Sequence, residues 1–140
     1  MTRYMQLCDD LGVNSPLDEL AGLFTEDAVW EGKGAKYEKA FGGYRGREAI
    51  KAGLSQAFRD FDTQQRGRYP FLHAVSNHWI EILDEDRAEG RCYLTDFVTQ
   101  RPTGDSPLLL LGVYVDEYRR VQGEWLISST RLDVVWPQAS

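Results

Sequence analysis

Histidine is the first candidate for chemistry in this chain, because only two histidines occur among its 140 residues. His73 and His78 both lie in YPFLHAVSNHWIEIL, an aromatic and β-branched segment that predicts a long strand. An imidazole titrates near neutral pH and can move a proton to or from carbon. Side chains alternate across a strand, so we expect His73, Asn77 and Trp79 to share one face, with His78 on the other.

The sequence favours chemistry without a metal or a cofactor. No cluster of His, Cys, Asp and Glu has the spacing of a tetrahedral or facial-triad metal site. The glycines of GKGAKYEKAFGGYRG lack the Lys-Ser/Thr ending of a phosphate-binding loop and the strand-to-helix setting of a dinucleotide fingerprint. No serine stands in a nucleophile elbow, and neither Cys8 nor Cys92 has an evident base beside it. Acid–base chemistry remains.

Two carboxylates and a phenol are the candidates to complete an acid–base site. Asp9 lies on the shoulder of the first predicted helix, where it could accept a hydrogen bond from His73 and fix the ring's tautomer. Asp96, in CYLTDFV, shares strand parity with an apolar face, where burial would raise its pKa and let it donate a proton. Tyr4 could donate its phenol proton to a substrate carbonyl.

Each of these residues also has a purely structural interpretation. Tyr4 could be an aromatic anchor of the first helix, and His73 a hydrogen-bonded histidine in the core. Asp96 could occupy an edge or bulge position in solvent. Composition alone does not choose between these interpretations.

Three helices are predicted in the first half of the chain. Apolar residues at helical spacing, among them Tyr4, Leu7 and Leu11, mark the first helix. The second begins in NSPLDELAGLF, with Ser15 as N-cap and Pro16 in the first helical position. The apolar stripe of GREAIKAGLSQAFRDF predicts the third.

The second half changes to the period of strands. Four long candidates, FLHAVSNHWIEIL, AEGRCYLTDFVTQ, PLLLLGVYVDEYRRV and EWLISSTRLDVVW, are joined by the turn segments DEDR, RPTGDS and VQGE. Short connections indicate an antiparallel meander. Earlier in the chain, DAVWEG predicts a short strand, and the glycine-rich segment 32–45 predicts a loop with a further short strand around Tyr37 to Phe41. The result is a single α+β domain, 1–140, with helices on one face of a curved sheet.

A sheet that curls around its own helices leaves an open mouth, which is a natural pocket for a small molecule. Four Trp and seven Tyr would suit a cyclic or aromatic ligand, or would simply fill the core. As substrate-binding residues we predict Asn77, Trp30, Tyr114 and Trp79.

Charge and hydropathy exclude other classes of partner. The formal net charge of −6 repels phosphate backbones, so we expect no nucleic-acid partner. The longest apolar run, LLLLGVYV, is far shorter than the roughly 20 residues of a membrane helix, and the first residues lack the pattern of a signal peptide. The two cysteines predict free buried thiols in a reducing compartment, and hence a cytoplasmic protein.

The whole pattern resembles the SnoaL-like branch of the NTF2-like, or cystatin-like cone, superfamily. The resemblance is carried by LFTEDAVWEG, GYRGREAI, HAVSNHWIEI and the closing pair of strands, GVYVDEYRRVQGEWLISSTRLDVVW. It implies three N-terminal helices packed on a strongly curved, mainly antiparallel sheet. This fold hosts dehydratases, isomerases, cyclases, hydrolases and pure binding modules, so the reaction has to be argued from the site.

Within that group, the site pattern is similar to that of the scytalone dehydratases and bile-acid 7α-dehydratases. These enzymes use a Tyr and an Asp of the first helix, a His on the first long strand and a polar residue on the next. The matching positions here are Tyr4, Asp9, His73 and Asp96. The resemblance therefore implies a cofactor-independent lyase acting on a cyclic or aromatic carbonyl or phenolic compound.

The resemblance also implies a homodimer or homotrimer joined through the outer face of the sheet, where Tyr93, Phe97 and His78 are candidate exposed residues. Two departures concern the mouth of the cone. Segment 32–45 looks like an addition relative to the dehydratases, and the chain stops soon after Trp136, so we expect a short C-terminal cover or none.

Two alternatives to a dehydratase stay open. The same four residues could run a double-bond isomerisation or a carbon–carbon cleavage that releases an aldehyde, because all three reactions pass through a similar anion. A non-catalytic small-molecule-binding or dimerisation module would instead use His73 structurally and fill the pocket with aromatic side chains.

Overall fold

The computed structural model of this chain describes residues 1–9, 16–33, 42–61, 71–98 and 109–136. Three helices and six strands lie in these ranges. In chain order they are α1 (Thr2–Asp9), α2 (Leu17–Ala21), β1 (Phe24–Lys33), β2 (Gly42–Arg45), α3 (Arg47–Phe61), β3 (Phe71–Ile82), β4 (Arg87–Val98), β5 (Leu109–Val121) and β6 (Glu124–Trp136).

The strands form one curved, mixed sheet in the order β2-β1-β6-β5-β4-β3. The four long strands β3 to β6 pair antiparallel in sequence order, which is the predicted meander. The turn between β5 and β6 has positive φ at both Gln122 and Gly123, the backbone conformation that favours a tight hairpin. The parallel pairing of β1 with β6 makes the sheet mixed. Segment RPTGDS lies outside the described residues.

The core lies between the helices and one face of the sheet. Leu20, Phe24 and Ile50, from α2, β1 and α3, are fully buried. Burial of one such side chain stabilises the fold by about 1.5–3 kcal/mol. The guanidinium of Arg47, at the start of α3, donates hydrogen bonds of 2.9 and 2.6 Å to the Phe24 carbonyl. Within the described ranges, no helix is both long and apolar enough to cross a membrane.

The boundaries of several early elements differ from expectation. Helix α2 begins at Leu17, so Pro16 immediately precedes the helix and does not open its first turn. Strand β1 has ten residues, more than the six of DAVWEG. Strand β2 lies inside the segment expected to be a loop, because Trp30 and its neighbours in β1 pair with it. Ser15, Leu11 and the strand expected around Tyr37 to Phe41 fall outside the described residues.

A β-bulge in β3 overturns the predicted alternation along that strand. Ser76 pairs with Tyr93 and Trp79 pairs with Arg91, so three steps along β3 match two steps along β4. Asn77, within the bulge, has a φ of 53°. The extra residue reverses the faces of everything that follows. The prediction that Asn77 and Trp79 share the face of His73 is therefore wrong, and both side chains are exposed on the opposite face.

Candidate active site around His73

Asp9 and His73 form a close pair between the end of α1 and the start of β3. Asp9 Oδ1 lies 2.6 Å from His73 Nδ1 and also accepts a hydrogen bond of 3.0 Å from the His73 backbone N–H. A carboxylate only accepts hydrogen bonds, so this contact favours the tautomer in which Nδ1 carries the proton. The hydrogen bond from the His73 backbone N–H also holds the Asp9 carboxylate against β3.

Asp96 approaches the imidazole from the neighbouring strand. It lies directly opposite His73 in the pairing of β3 with β4, and its Oδ1 is 3.8 Å from His73 Nε2. That separation is too long for a hydrogen bond. The Oδ1 atom is buried and receives no hydrogen bond from the part of the chain that the structure describes. A buried carboxylate oxygen without a donor is costly, so its environment needs an explanation.

Burial sets the protonation of Asp96. Desolvation raises its pKa from the ordinary value of 3.8 to about 6, with His73 acting to lower it and Asp9 to raise it. Asp96 is therefore neutral over a wider pH range than an exposed aspartate, and in its neutral form it can donate a proton. The side chains of His73, Asp96 and Asp9 keep 10%, 11% and 21% of their surface exposed, so the cluster is not sealed.

Tyr4 lies on the buried side of α1, packed edge-on against aromatic rings. Its ring centroid is 5.6 Å from that of Phe24 and 6.5 Å from that of Tyr114. The indole N–H of Trp30 donates a 2.9 Å hydrogen bond to the Tyr4 hydroxyl oxygen. Burial, followed by the neighbouring Cys8, raises the Tyr4 pKa well above its ordinary value. Tyr4 thus stays a neutral phenol, which is the form that donates a proton.

Cys8 is a member of this neighbourhood that sequence reasoning assigned only to the core. Burial raises the pKa of its thiol to about 12, and the thiol also interacts electrostatically with Asp9 and Asp96. Cys8 and Tyr4 are one helical turn apart on α1, and each affects the pKa of the other. The Cys8 thiol therefore belongs to the electrostatic surroundings of the two carboxylates. The i, i+4 spacing from Tyr4 was the signal that could have identified it.

The four predicted binding residues divide between two faces of the sheet. Trp30 and Tyr114 are buried next to Tyr4. Asn77 and Trp79 line a shallow depression on the opposite face, together with Arg91. The structure brings the first two to the side of the sheet that carries His73, and the bulge removes the other two from it.

An apolar recess of about 350 Å³ opens near the start of α1. Tyr4 lines this recess together with Ile80, Tyr118 and Trp125. The bulge turns Ile80 inward, opposite Gly90 of β4. An apolar volume of this size is at the lower end of small-molecule sites.

Asp116 is a second buried carboxylate, and it provides a contrast with Asp96. Thr130 Oγ1 donates to its Oδ1 at 2.6 Å, and the Tyr118 hydroxyl donates to its Oδ2 at 3.0 Å. Burial raises its pKa to about 6, against the opposing effect of these two hydrogen bonds. Both oxygens of Asp116 have donors, so it fits a structural role. Asp96 differs, because its Oδ1, 3.8 Å from His73 Nε2, receives no hydrogen bond within the described ranges.

No group of three or more His, Cys, Asp and Glu side chains among the described residues is arranged to hold a metal ion. Asp9 and Asp96 each place one carboxylate oxygen beside a ring nitrogen of His73. This Asp–His–Asp arrangement is suited to proton transfer.

Comparison with known proteins agrees with this architecture. The model of the SnoaL-like domain family matches residues 1–131. No curated protein matches the chain. Among solved structures, an NTF2-like protein with a cystatin-like fold from Novosphingobium aromaticivorans is similar with a TM-score of 0.70 at 19% identity, over 99% of this chain and 79% of that one.

Two further solved structures carry names of enzymes. A scytalone dehydratase-like protein from Novosphingobium aromaticivorans is 26% identical, with a TM-score of 0.68, over 96% of this chain and 78% of that one. A hexachlorocyclohexane dehydrochlorinase from Novosphingobium barchaimii is 21% identical, with a TM-score of 0.68, over 94% of this chain and 80% of that one. The second likeness is one of fold.

Proposed function

This chain belongs to the SnoaL-like domain family, and from that premise we propose that it is a cofactor-independent lyase of the dehydratase type. Its substrate is a cyclic or aromatic small molecule with a carbonyl or phenol group. One observation carries the proposal: Asp9 contacts one ring nitrogen of His73, and a buried Asp96 oxygen that receives no hydrogen bond from the described residues lies 3.8 Å from the other. The similarity to a scytalone dehydratase-like protein supports it.

The first step is removal of a proton from the carbon next to the carbonyl. Asp9 accepts the Nδ1–H hydrogen bond, so the Nε2 lone pair of His73 serves as the base. The imidazolium that forms is stabilised by the Asp9 carboxylate. Tyr4, a neutral phenol, donates to the developing enolate oxygen.

The second step is expulsion of the hydroxyl group. Asp96, in the neutral form that burial favours up to about pH 6, donates its proton to the leaving oxygen, the carbon–oxygen bond breaks, a carbon–carbon double bond forms and water leaves. His73 is then protonated and Asp96 ionised. Their 3.8 Å separation lets the proton return from Nε2 to Oδ1 after a small movement, which restores the starting state.

An isomerase or an aldehyde-releasing carbon–carbon lyase would pass through the same enolate anion. Which group leaves the substrate, or whether none leaves, decides between these reactions. A binding module is the second candidate function, and the packing of Trp30 and Tyr114 around Tyr4 favours it, because these rings occupy interior volume. We further propose a homodimer or homotrimer in the cytoplasm, where the two buried cysteines remain thiols.

In the test, the protein is incubated in D₂O with a panel of cyclic β-hydroxyketones and phenolic ketones, and the compounds are observed by NMR. It detects exchange of the carbon-bound proton even where no group leaves. His73→Gln is expected to lower the exchange rate about 10²–10⁴-fold, the usual contribution of positioned proton transfer.

His78→Gln is the matched control, since it removes the other histidine of the same strand and should exchange at the wild-type rate. A probe that binds to the wild type and to His73→Gln alike, with no exchange in either, would support the binding module and end the lyase proposal.

A further inference from the structure

The contact between Trp30 of β1 and Tyr4 of α1 has a defined direction. The two side chains are buried, and 2.9 Å separates the indole nitrogen from the hydroxyl oxygen. An indole nitrogen only donates hydrogen bonds, so the proton between these atoms belongs to Trp30. A phenol both donates and accepts, and here the Tyr4 oxygen is the acceptor. The Tyr4 proton therefore points to a different acceptor, away from Trp30.

Packing holds both rings in this arrangement. Strand β1 lies between β2 and β6, and the Trp30 ring centroid is 6.2 Å from that of Tyr44 on β2. The Tyr4 ring meets Phe24 and Tyr114 edge-on. Close-packed rings of this kind resist reorientation. The direction of the Tyr4 hydroxyl is thus set before any ligand arrives, as electrostatic stabilisation of a developing charge requires.

Trp30 also affects how well the Tyr4 oxygen tolerates negative charge. Burial is the main cause of the raised Tyr4 pKa, and Cys8 and Tyr114 raise it further, whereas the hydrogen bond from Trp30 lowers it. A donor to an oxygen binds more strongly as that oxygen gains negative charge. Hydrogen bonds in a chain polarise one another, so the Trp30 N–H makes the Tyr4 O–H a better donor.

We infer that Trp30 is a positioning residue for the proposed reaction: its N–H directs the Tyr4 proton toward the substrate oxygen and stabilises Tyr4 as that oxygen becomes an enolate. The inference rests on the proposed function. It differs from the expectation that Trp30 binds the substrate directly, because the N–H is engaged by Tyr4. Tyr4 keeps its proton throughout and donates a hydrogen bond, so no covalent step involves Trp30.

The test uses 4-nitrophenol as the probe, because its anion spreads charge from an oxygen into a ring, as an enolate does, and its colour reports ionisation. Trp30→Phe keeps an aromatic ring and removes the N–H. It should reduce the stabilisation of the bound anion by about tenfold, the effect of one hydrogen bond to a charged group. In a Tyr4→Phe background, the same substitution should have no effect on ionisation, because Trp30 acts through Tyr4.

Trp79→Phe is the matched control, since it makes the same substitution at a half-exposed indole on the opposite face of the sheet. It should leave the ionisation of the probe unchanged. A second measurement avoids any substitution of Trp30. The indole N–H resonance of Trp30 should move downfield when 4-nitrophenolate binds to the wild type, and it should not move in Tyr4→Phe.

A purely structural role of Trp30 predicts a different result. Loss of packing would change the ionisation of the probe equally in the two backgrounds, and that outcome would overturn the inference. So would an anion that the wild type stabilises no better than Tyr4→Phe does. The lyase proposal is judged separately, by proton exchange in His73→Gln. Exchange that requires His73 but is insensitive to Trp30→Phe would therefore leave the lyase proposal intact and remove this one.

Discussion

At the scale of single residues, the candidate site depends on how differently two buried aspartates are satisfied. Asp96 and Asp116 both have a pKa raised to about 6 by burial. Thr130 and Tyr118 donate hydrogen bonds to Asp116, while the Asp96 oxygen nearest His73 receives none from the part of the chain that the structure describes. Strained or unsatisfied groups concentrate where a protein does chemistry. Asp96 therefore deserves a functional explanation that Asp116 does not need.

Asp96→Asn should change how the stability of the protein depends on pH. The folded-state pKa of Asp96 lies above its ordinary value of 3.8, so between about pH 4 and 6 the folded protein binds more protons than the unfolded chain. The free energy of unfolding then falls as pH rises through this window. Removing the group abolishes this fall. The free energy of unfolding of Asp96→Asn, relative to that of the wild type, should therefore be about 1–3 kcal/mol higher at pH 7 than at pH 4.

Chemical denaturation at pH 4 and pH 7 measures this difference. Asp116, whose pKa is shifted in the same direction, is present in both proteins and cancels in the comparison. An equal difference between variant and wild type at the two pH values would show that Asp96 titrates normally. In the proposed reaction, the loss of its proton donor should also slow elimination in Asp96→Asn more than it slows proton exchange.

At the scale of elements, the bulge in β3 determines which side chains reach the site. Before the bulge, His73 and Val75 face inward, opposite Asp96 and Leu94. After it, Ile80 takes the inward position and Trp79 the outward one. The bulge thus lets β3 direct His73 to the inner face of the sheet and Trp79 to the outer face.

Substitution at Asn77 tests whether its left-handed backbone conformation maintains the bulge. Asn77→Gly should be neutral or slightly stabilising, since glycine adopts a φ of 53° without steric cost. Asn77→Val should lower the free energy of unfolding by about 1–2 kcal/mol, because a β-branched residue is strained there. Urea denaturation of both variants gives the comparison. Equal stability of the Gly and Val variants would be incompatible with a conformational role for this position.

At the scale of the whole molecule, the site exists only in the folded chain. Asp9 and His73 are 64 residues apart in sequence, and they meet because α1 packs across the start of β3. Asp96 reaches the same imidazole because the meander pairs β4 with β3. Tertiary packing therefore supplies the geometry of the candidate site.

Much of this organisation could be predicted from the sequence. The change from helical to strand periodicity indicated the order of the long elements, and the turn residues indicated the meander. The one-residue bulge could not be read from alternation, because Asn77 and His78 suit either face of a strand. The pairing of β2 was also missed, since its glycines predict a loop and only contact with Trp30 and its neighbours makes it a strand.

The most direct test of the account is the tautomer of His73, measured by long-range ¹H–¹⁵N NMR. His78→Gln leaves a protein with a single histidine, so the imidazole signals are assigned without ambiguity. We predict that neutral His73 carries its proton on Nδ1, with Nε2 unprotonated, and that Asp9→Asn weakens this preference. A neutral ring protonated on Nε2, or a spectrum unchanged by Asp9→Asn, would contradict the assignment of His73 as a base oriented by Asp9.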